Sequence, residues 1–358
     1  MEVALIGFPQ SGKSTVFQAL AGKADPSALF KSKGKFTPHT QIVKVPDKRL
    51  EHLAKLYKPE KVIPATVTLT DIPGFQKKDL KNEKIVSEIE NYIGTVDALI
   101  HVVKRFRGED LSETAVREME LDLIMRDFIK VENRLKRIAE TWNKISGEKR
   151  RQIELEKSLL EKCLEILNKE QPLRAHSFSR EENKMLSGFQ FWSLKPMLIL
   201  FNCDEGHYNK PVENDFLRHL NSLPRTRCMH LAGQLEMELN ELPREEKEEF
   251  LTAYNLKEPG RRKVLRNIYD LLELCSFFTT REQEVRAWPI PKSTPAREAA
   301  GKIHSDMEEG FIRAEVFPYH DLIKYGNEQE IKKQGKSRTE GKEYLVQDGD
   351  IISFLFHK

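Results

Sequence analysis

Gly7-Phe8-Pro9-Gln10-Ser11-Gly12-Lys13-Ser14 follows the spacing GxxxxGK[ST], which cradles the phosphates of a nucleotide. Backbone N–H groups of such a loop point inward, and the helix that follows adds the positive end of its dipole. Lys13 would reach the β- and γ-phosphates, and Ser14 would ligate Mg²⁺. Gly7 and Gly12 allow backbone angles and a close approach that a side chain would block. Pro9, Gln10, Ser11 and Thr15 complete the cradle. The context fits. Val3-Ala4-Leu5-Ile6 upstream is a short apolar run typical of a strand buried on both faces, and Thr15 to Ala21 downstream carries Val16, Phe17 and Leu20 at helical spacing.

Two further elements complete such a site. Thr66 to Asp71 alternates like a strand and ends in Asp71-Ile72-Pro73-Gly74, a DxxG. Its aspartate can hold the water shell of Mg²⁺ and its glycine N–H can meet the γ-phosphate. Lys195 to Phe201 is another apolar run, ending at Asn202-Cys203-Asp204-Glu205. Guanine-binding proteins of this architecture place NKxD there, with the Asp taking two guanine N–H donors. Here the pattern is NxxE, with Cys203 in the lysine position. Asn202 can still hold the loop and the base edge, while guanine loses its usual clamp.

The residue after DxxG is Phe75, where Ras-like enzymes carry a glutamine that orients the attacking water. Phenylalanine cannot orient anything, so hydrolysis is expected to be slow unless Gln76, a backbone carbonyl, a cation or a partner supplies a group. Phe75 itself reads as an apolar anchor. His39 and His101 are candidate bases, but lone histidines of this kind are more often structural or solvated.

These side chains need elements to position them. From about Glu113 to Glu170, Leu121, Ile124, Phe128, Val131, Leu135, Ile138 and Trp142 repeat at alternating steps of 3 and 4. Gly147 breaks the pattern, and Ile153, Leu160, Cys163 and Leu167 resume it. This predicts two helices joined by a turn, an antiparallel coiled-coil hairpin inserted before the base-reading strand. Lys149-Arg150-Arg151 at its tip suit either an RNA surface or plain solvation. After Leu274, runs at 284–288, 311–316, 344–346 and 351–355 read as strands and 294–303 as a helix. Lys324, Lys332, Lys333, Lys336, Arg338 and Lys342 make a basic late loop, with Tyr325 nearby.

The phosphate loop, DxxG and NxxE in this order resemble the YchF-type Obg-like ATPases, in which NxxE accompanies a preference for ATP over GTP. The likeness spans nearly the whole chain. Val45-Pro46-Asp47 with Arg49-Leu50 resembles the family's VPDxRL, and His101-Val102-Val103-Lys104 its HVVR. Glu284-Val285-Arg286-Ala287-Trp288, Ala299 to Asp306, Gly310 to Val316, Gly341 to Tyr344 and Gln347-Asp348-Gly349-Asp350-Ile351-Ile352 resemble its TGS domain. The second switch departs from the family, having no glycine after Gly74 up to Glu83. The loop from Arg105 to Ser112 lacks the histidine the family often carries.

The resemblance implies an α/β fold: a P-loop NTPase domain of Ras-like, Obg type with the coiled-coil hairpin inserted and a C-terminal β-grasp (TGS, ubiquitin-like) domain. The expected divisions are 1–112 and 181–273 for the nucleotide domain, 113–180 for the hairpin and 274–358 for the β-grasp. The implied cofactor is Mg²⁺, held by Ser14, Asp71 and Thr37, with Thr40 the alternative to Thr37. Lys13 and Gly74 would act on the γ-phosphate. Gly7, Pro9, Gln10, Ser11, Gly12, Lys13, Ser14, Thr15, Asn202, Glu205 and Leu231 would contact nucleotide. The implied activity is slow ATP hydrolysis, with GTP weaker, on a ribosome or rRNA partner. A GTPase, or a nucleotide-liganded RNA scaffold with negligible turnover, remains open.

Composition narrows the classes. The 358 residues carry 59 Lys+Arg against 56 Asp+Glu, a net charge of +3 that argues against a DNA-coating protein. The 4 cysteines sit singly, without a CxxC pair, so zinc is not expected and a reducing compartment is. Neither a signal peptide nor a membrane helix is read, so the expectation is a cytoplasmic monomer.

Overall fold

The structure, a computed structural model, describes all residues except 23–37, 75–82, 106–111, 145, 209–214, 281–282 and 358. The chain begins β1 (Glu2–Ile6), α1 (Lys13–Ala21), β2 (His39–Lys44), α2 (Lys48–Tyr57), β3 (Lys61–Ile63), β4 (Thr66–Asp71), α3 (Glu83–Thr95) and β5 (Ala98–Arg105). It continues α4 (Ser112–Thr141), α5 (Glu148–Asn168), α6 (Arg180–Ser187), β6 (Met197–Cys203), α7 (Glu205–Tyr208) and α8 (Asp215–Ser222). Then come β7 (Thr226–Leu231), α9 (Gly233–Glu241), α10 (Arg244–Ala253), α11 (Gly260–Leu271), β8 (Leu274–Thr280) and β9 (Glu284–Pro291). The last elements are α12 (Ala296–Gly301), α13 (Ser305–Glu309), β10 (Phe311–Pro318), α14 (Tyr319–Tyr325), α15 (Glu328–Lys333), β11 (Arg338–Glu340) and β12 (Asp350–Phe356).

The chain divides into two units, residues 1–43 with 68–264 and residues 44–67 with 265–358. This differs from the division read in the sequence. Residues 44–67 lie inside the expected stretch 1–112 yet pack with the C-terminal residues, and the unit boundary after Val264 falls within α11. The helical pair of 113–180 clusters with the first unit.

In the first unit the sheet order is β2-β4-β1-β5-β6-β7. β1 runs parallel to β4 and β5, and β5, β6 and β7 are mutually parallel neighbours. The continuous apolar runs follow from burial on both faces, and all seven residues of β6 are buried. Ile6, Leu99, Val103, Ile199 and Phe201 pack on one face with Ile89 and Ile93 of α3 and Met119 and Leu123 of α4. All the site-bearing turns lie at the carboxyl ends of these strands, where open parallel sheets bind ligands.

The two long helices, α4 and α5, carry the seam read in the sequence. Ile124, Phe128, Val131, Leu135, Ile138 and Trp142 pack with Ile153, Leu160, Cys163 and Leu167; Leu121 is not part of that cluster. Gly147, at φ 64°, starts α5. Trp142 closes the far end, with the Arg150 guanidinium 4.8 Å from its ring centroid. At the near end, polar groups fix α4. Asp127 is fully buried and accepts from Trp192 N at 2.8 Å, Ser193 N at 2.7 Å and Ser193 Oγ at 2.6 Å. Arg174, also fully buried, pairs with Glu120 of α4.

The second unit is built on the sheet order β11-β10-β12-β8-β9-β3. Strand alternation sends Phe277 to one face and Phe278 to the other. Phe277 packs with Val316, Ile352 and with Ala296 and Ala299 of α12. Phe278 packs with Val285, Ile351, Leu50 and Leu53 of α2, Leu322 of α14 and Ile331 of α15. β3 joins the edge, parallel to β9. Some local expectations are corrected. Residues 344–346 form no strand, only a bridge from Leu345 to Pro295. The helix expected over 294–303 spans Ala296–Gly301. Lys324, Lys332 and Lys333 belong to α14 and α15 rather than a loop, where the Glu315 and Glu330 carboxylates lie 3.4 Å from Lys332 and 3.5 Å from Lys333.

Candidate functional site

The loop between β1 and α1 is built for close approach. A Cβ on Gly7 would come 2.7 Å from the Val102 carbonyl oxygen and 3.0 Å from Ser11 Oγ. Gly12 sits left-handed, φ 80°, as the residue before α1, and no side chain caps that helix. The first-turn N–H groups therefore remain for an anion. Pro9 and Gln10 are exposed at the loop's crest, while Ser11 is buried with an Oγ that has no partner among the described residues.

Lys13 and Asp71 form an ion pair within this pocket, each less than a tenth exposed. Ser14 Oγ donates to Asp71 Oδ2 at 3.1 Å. The structure thus brings the candidate phosphate lysine together with two of the metal candidates, Ser14 and Asp71. A hydroxyl and a carboxylate are hard oxygen donors of the kind that suit Mg²⁺, which keeps waters and phosphate oxygens for its remaining positions. An orphaned Ser11 hydroxyl beside them suits a phosphate. The Thr37 assignment falls outside the described residues. Thr40, exposed on β2, has its Oγ1 3.4 Å from Thr70 Oγ1 of β4. Gly74 lies against the phosphate loop, since a Cβ there would stand 3.3 Å from the Gly7 oxygen and 3.4 Å from Pro9 N.

Asn202 ties the two sides of the site together. Its Nδ2 donates to the Ser11 carbonyl at 3.2 Å, and its Oδ1 accepts from Gly233 N at 3.1 Å. Gly233 in turn leaves little room, since a Cβ there would stand 3.0 Å from Asn202 Oδ1. Leu231 is fully buried at the end of β7, paired with Asn202 across the sheet. Glu205 opens α7 and is exposed. His101 is fully buried in β5, burial and the Arg174 charge push it down to about 3, and neither ring nitrogen has a partner among the described residues. Such a group serves the core and not proton transfer. Phe75, Gln76 and the loop 106–111 lie outside the described residues.

Two family models match. One described as a 50S ribosome-binding GTPase covers residues 2–144, and the YchF GTPase C-terminal model, described as a protein of unknown function, covers 274–357. The ribosome-binding ATPase YchF of Bacillus subtilis is 35% identical across 99% of this chain and 98% of its own. The chain belongs to the YchF family. The Escherichia coli O157:H7 protein of the same name is 34% identical over the same shares. The solved YchF GTPase of Schizosaccharomyces pombe is similar with a TM-score of 0.82 and 26% identity, covering 99% of this chain and 97% of that one. The fold is accordingly that of a P-loop GTPase domain with mixed α/β sheets.

In this YchF chain, sequence reasoning missed the residues behind the base side of the site. Cys203 faces inward and packs with Ala232, Leu235, Tyr208, Phe250, Tyr254 and Leu256. Burial pushes its thiol up to about 11. The Glu205 carboxylate accepts a hydrogen bond from the Tyr254 hydroxyl and its charge holds that phenol above its ordinary value. Glu236, buried in α9, accepts from Gly260 N at 2.5 Å and Arg261 N at 3.2 Å, fastening α11 to this region. No spacing rule links position 205 to 254, so no sequence signal announced the contact.

Proposed function

We propose that this chain binds Mg²⁺–ATP in preference to GTP, hydrolyses it slowly to ADP and phosphate, and acts as a nucleotide-controlled switch on the ribosome. The observation that carries the adenine preference is the pair Asn202 and Glu205. Asn202 keeps its structural bonds to both loops, while Glu205, in place of aspartate, is held by Tyr254 and Cys203 is buried where a lysine would cover the base. Guanine recognition of the usual kind has lost two of its parts.

Gly7 to Thr15 would wrap the phosphates, with Lys13 leaving Asp71 for the β- and γ-phosphate oxygens. Ser14, Asp71 and a switch threonine, Thr37 or Thr40, would hold Mg²⁺, which would neutralise charge between those phosphates. The Gly74 N–H would hold a γ-phosphate oxygen. Phe75 offers no group to orient water, which supports slow turnover in the absence of a partner. The ribosomal partner rests on the name of the bacterial relatives. The test is equilibrium binding of fluorescent ATP and GTP analogues with Mg²⁺. ATP preference is expected; equal or guanine-favouring binding would put the GTPase reading first, which Asn202 and the name of the fission-yeast relative, a YchF GTPase, favour.

A further inference from the structure

Two motifs of the sequence have no role in the nucleotide site, Val45-Pro46-Asp47 with Arg49-Leu50 and Gln347-Asp348-Gly349-Asp350. The structure joins them. Arg49 Nη1 donates to Asp348 Oδ2 at 2.7 Å and Nη2 to Oδ1 at 3.2 Å. The same guanidinium holds Asp47, through Nη2 at 2.8 Å and Nε at 3.1 Å, and lies 5.2 Å over the Phe278 ring. Asp47 also caps α2 by accepting from Arg49 N. Asp348 is aimed by its own turn. Its Oδ1 accepts from Ser276 N at 2.9 Å, and Gly349, φ 91°, leaves a Cβ position just 3.2 Å from Arg49 Nη1.

The importance of this knot lies in what it holds. Residues 44–67 connect β2 to β4 and belong to the second unit, while β2 up to Val43 and β4 from Thr68 belong to the first. β2 bears Thr40, and β4 ends at Asp71. β2 and β4 are neighbours in the sheet and form a ribbon, in which Thr40 Oγ1 lies 3.4 Å from Thr70 Oγ1 and, past the strand ends, Val45 N donates to the Ala65 oxygen at 2.8 Å. Inside that unit the connection is fixed by Leu50 and Leu53 in the core, by Tyr57 donating to Glu328 at 2.6 Å and by β3 on the sheet edge.

We infer that Arg49 and Asp348 are positioning residues for the nucleotide site: their contact sets the ribbon whose strands carry Thr40 and Asp71, and so links the C-terminal unit to recognition of the γ-phosphate. Linkage is reciprocal, so whatever binds the C-terminal unit and shifts this ribbon changes triphosphate affinity by the factor by which triphosphate changes its own. The inference rests on the nucleotide reading above.

The test uses the full chain with Mg²⁺, a non-hydrolysable ATP analogue and ADP. In Arg49→Ala and Asp348→Asn, affinity for the triphosphate analogue falls about three- to tenfold, and that for ADP stays within about twofold. Arg49→Lys, which keeps the charge and loses the fork, falls between. The double variant is no worse than the worse single one. Equal losses for both nucleotides would assign the pair a purely structural role and overturn the inference, as would an unchanged ratio. Should Arg49→Ala fail to fold, Asp348→Asn decides, since asparagine still accepts from Ser276 N. Wild type that binds neither nucleotide removes the nucleotide reading and this inference together; wild type that binds, with ratios unchanged in the variants, removes this inference alone.

Discussion

Lys13 and Asp71 neutralise one another, so on the proposed reading a nucleotide would enter by exchange. Phosphate oxygens would take the ammonium, and the carboxylate would be freed to help hold the metal. Lys13→Ala therefore loses at least about a hundredfold in triphosphate affinity by fluorescence titration; retained affinity would remove the phosphate-loop assignment. Asp71→Asn frees the lysine without a nucleotide and weakens the metal's hold. Its ratio of Kd in EDTA to Kd in Mg²⁺ should fall toward one, whereas a wild-type ratio would place the metal elsewhere. At the base, Glu205→Asp is expected to move preference toward guanine in a competition titration. Replacing Cys203 by lysine is a poor companion to it, because an ammonium would be driven into the cluster of Ala232, Leu235 and Tyr208. The loop between β1 and α1 was legible because its motif is contiguous and its glycines meet the close approaches it requires. Tyr254 and Glu236 were not, because their approach to the site depends on how α9 to α11 pack.

Among elements, α4 shows most clearly what a pattern reveals and what it hides. The seam from Ile124 to Trp142 was readable from its spacing alone, since only one helical face meets α5. The root was not. No motif or spacing marks Asp127 and Glu120, yet one is fully buried and the other pairs with buried Arg174. Burial raises the Asp127 carboxyl to about 6 from an ordinary 3.8, against the hydrogen bonds from Ser193 and Trp192. The folded state thus holds this proton more tightly than the unfolded chain does. The resulting stability is present below about pH 4 and is lost as pH rises toward 6. Urea midpoints at pH 4.5 and 6.5 for wild type and Asp127→Asn check this. The wild-type stability relative to the variant should drop over that interval by about 2 kcal/mol; a constant difference would mean the carboxyl titrates normally.

At the scale of the whole chain, the interleaving of 44–67 with 265–358 was the feature least legible in sequence. A segment just beyond the first switch reads as part of the domain that contains it, and only tertiary packing gives Leu50 and Leu53 a sheet to cover. A fragment of residues 265–358 accordingly exposes the face of Phe278 and Ile351. It should bind a hydrophobic dye and melt without cooperativity, and fusion to residues 44–67 should restore a cooperative transition. A cooperative melt of the bare fragment would refute this. The same interleaving imposes a schedule on synthesis. About 200 residues separate the two pieces of the second unit, and at roughly 5–20 residues per second they emerge some 10–40 s apart. Throughout that interval the apolar side of α2 has been made and has nothing to cover. Each unfinished chain thus carries an exposed hydrophobic mark near its beginning, erased only when translation passes Ile351, which gives chaperones and proteases a physical criterion for telling completed molecules from interrupted ones.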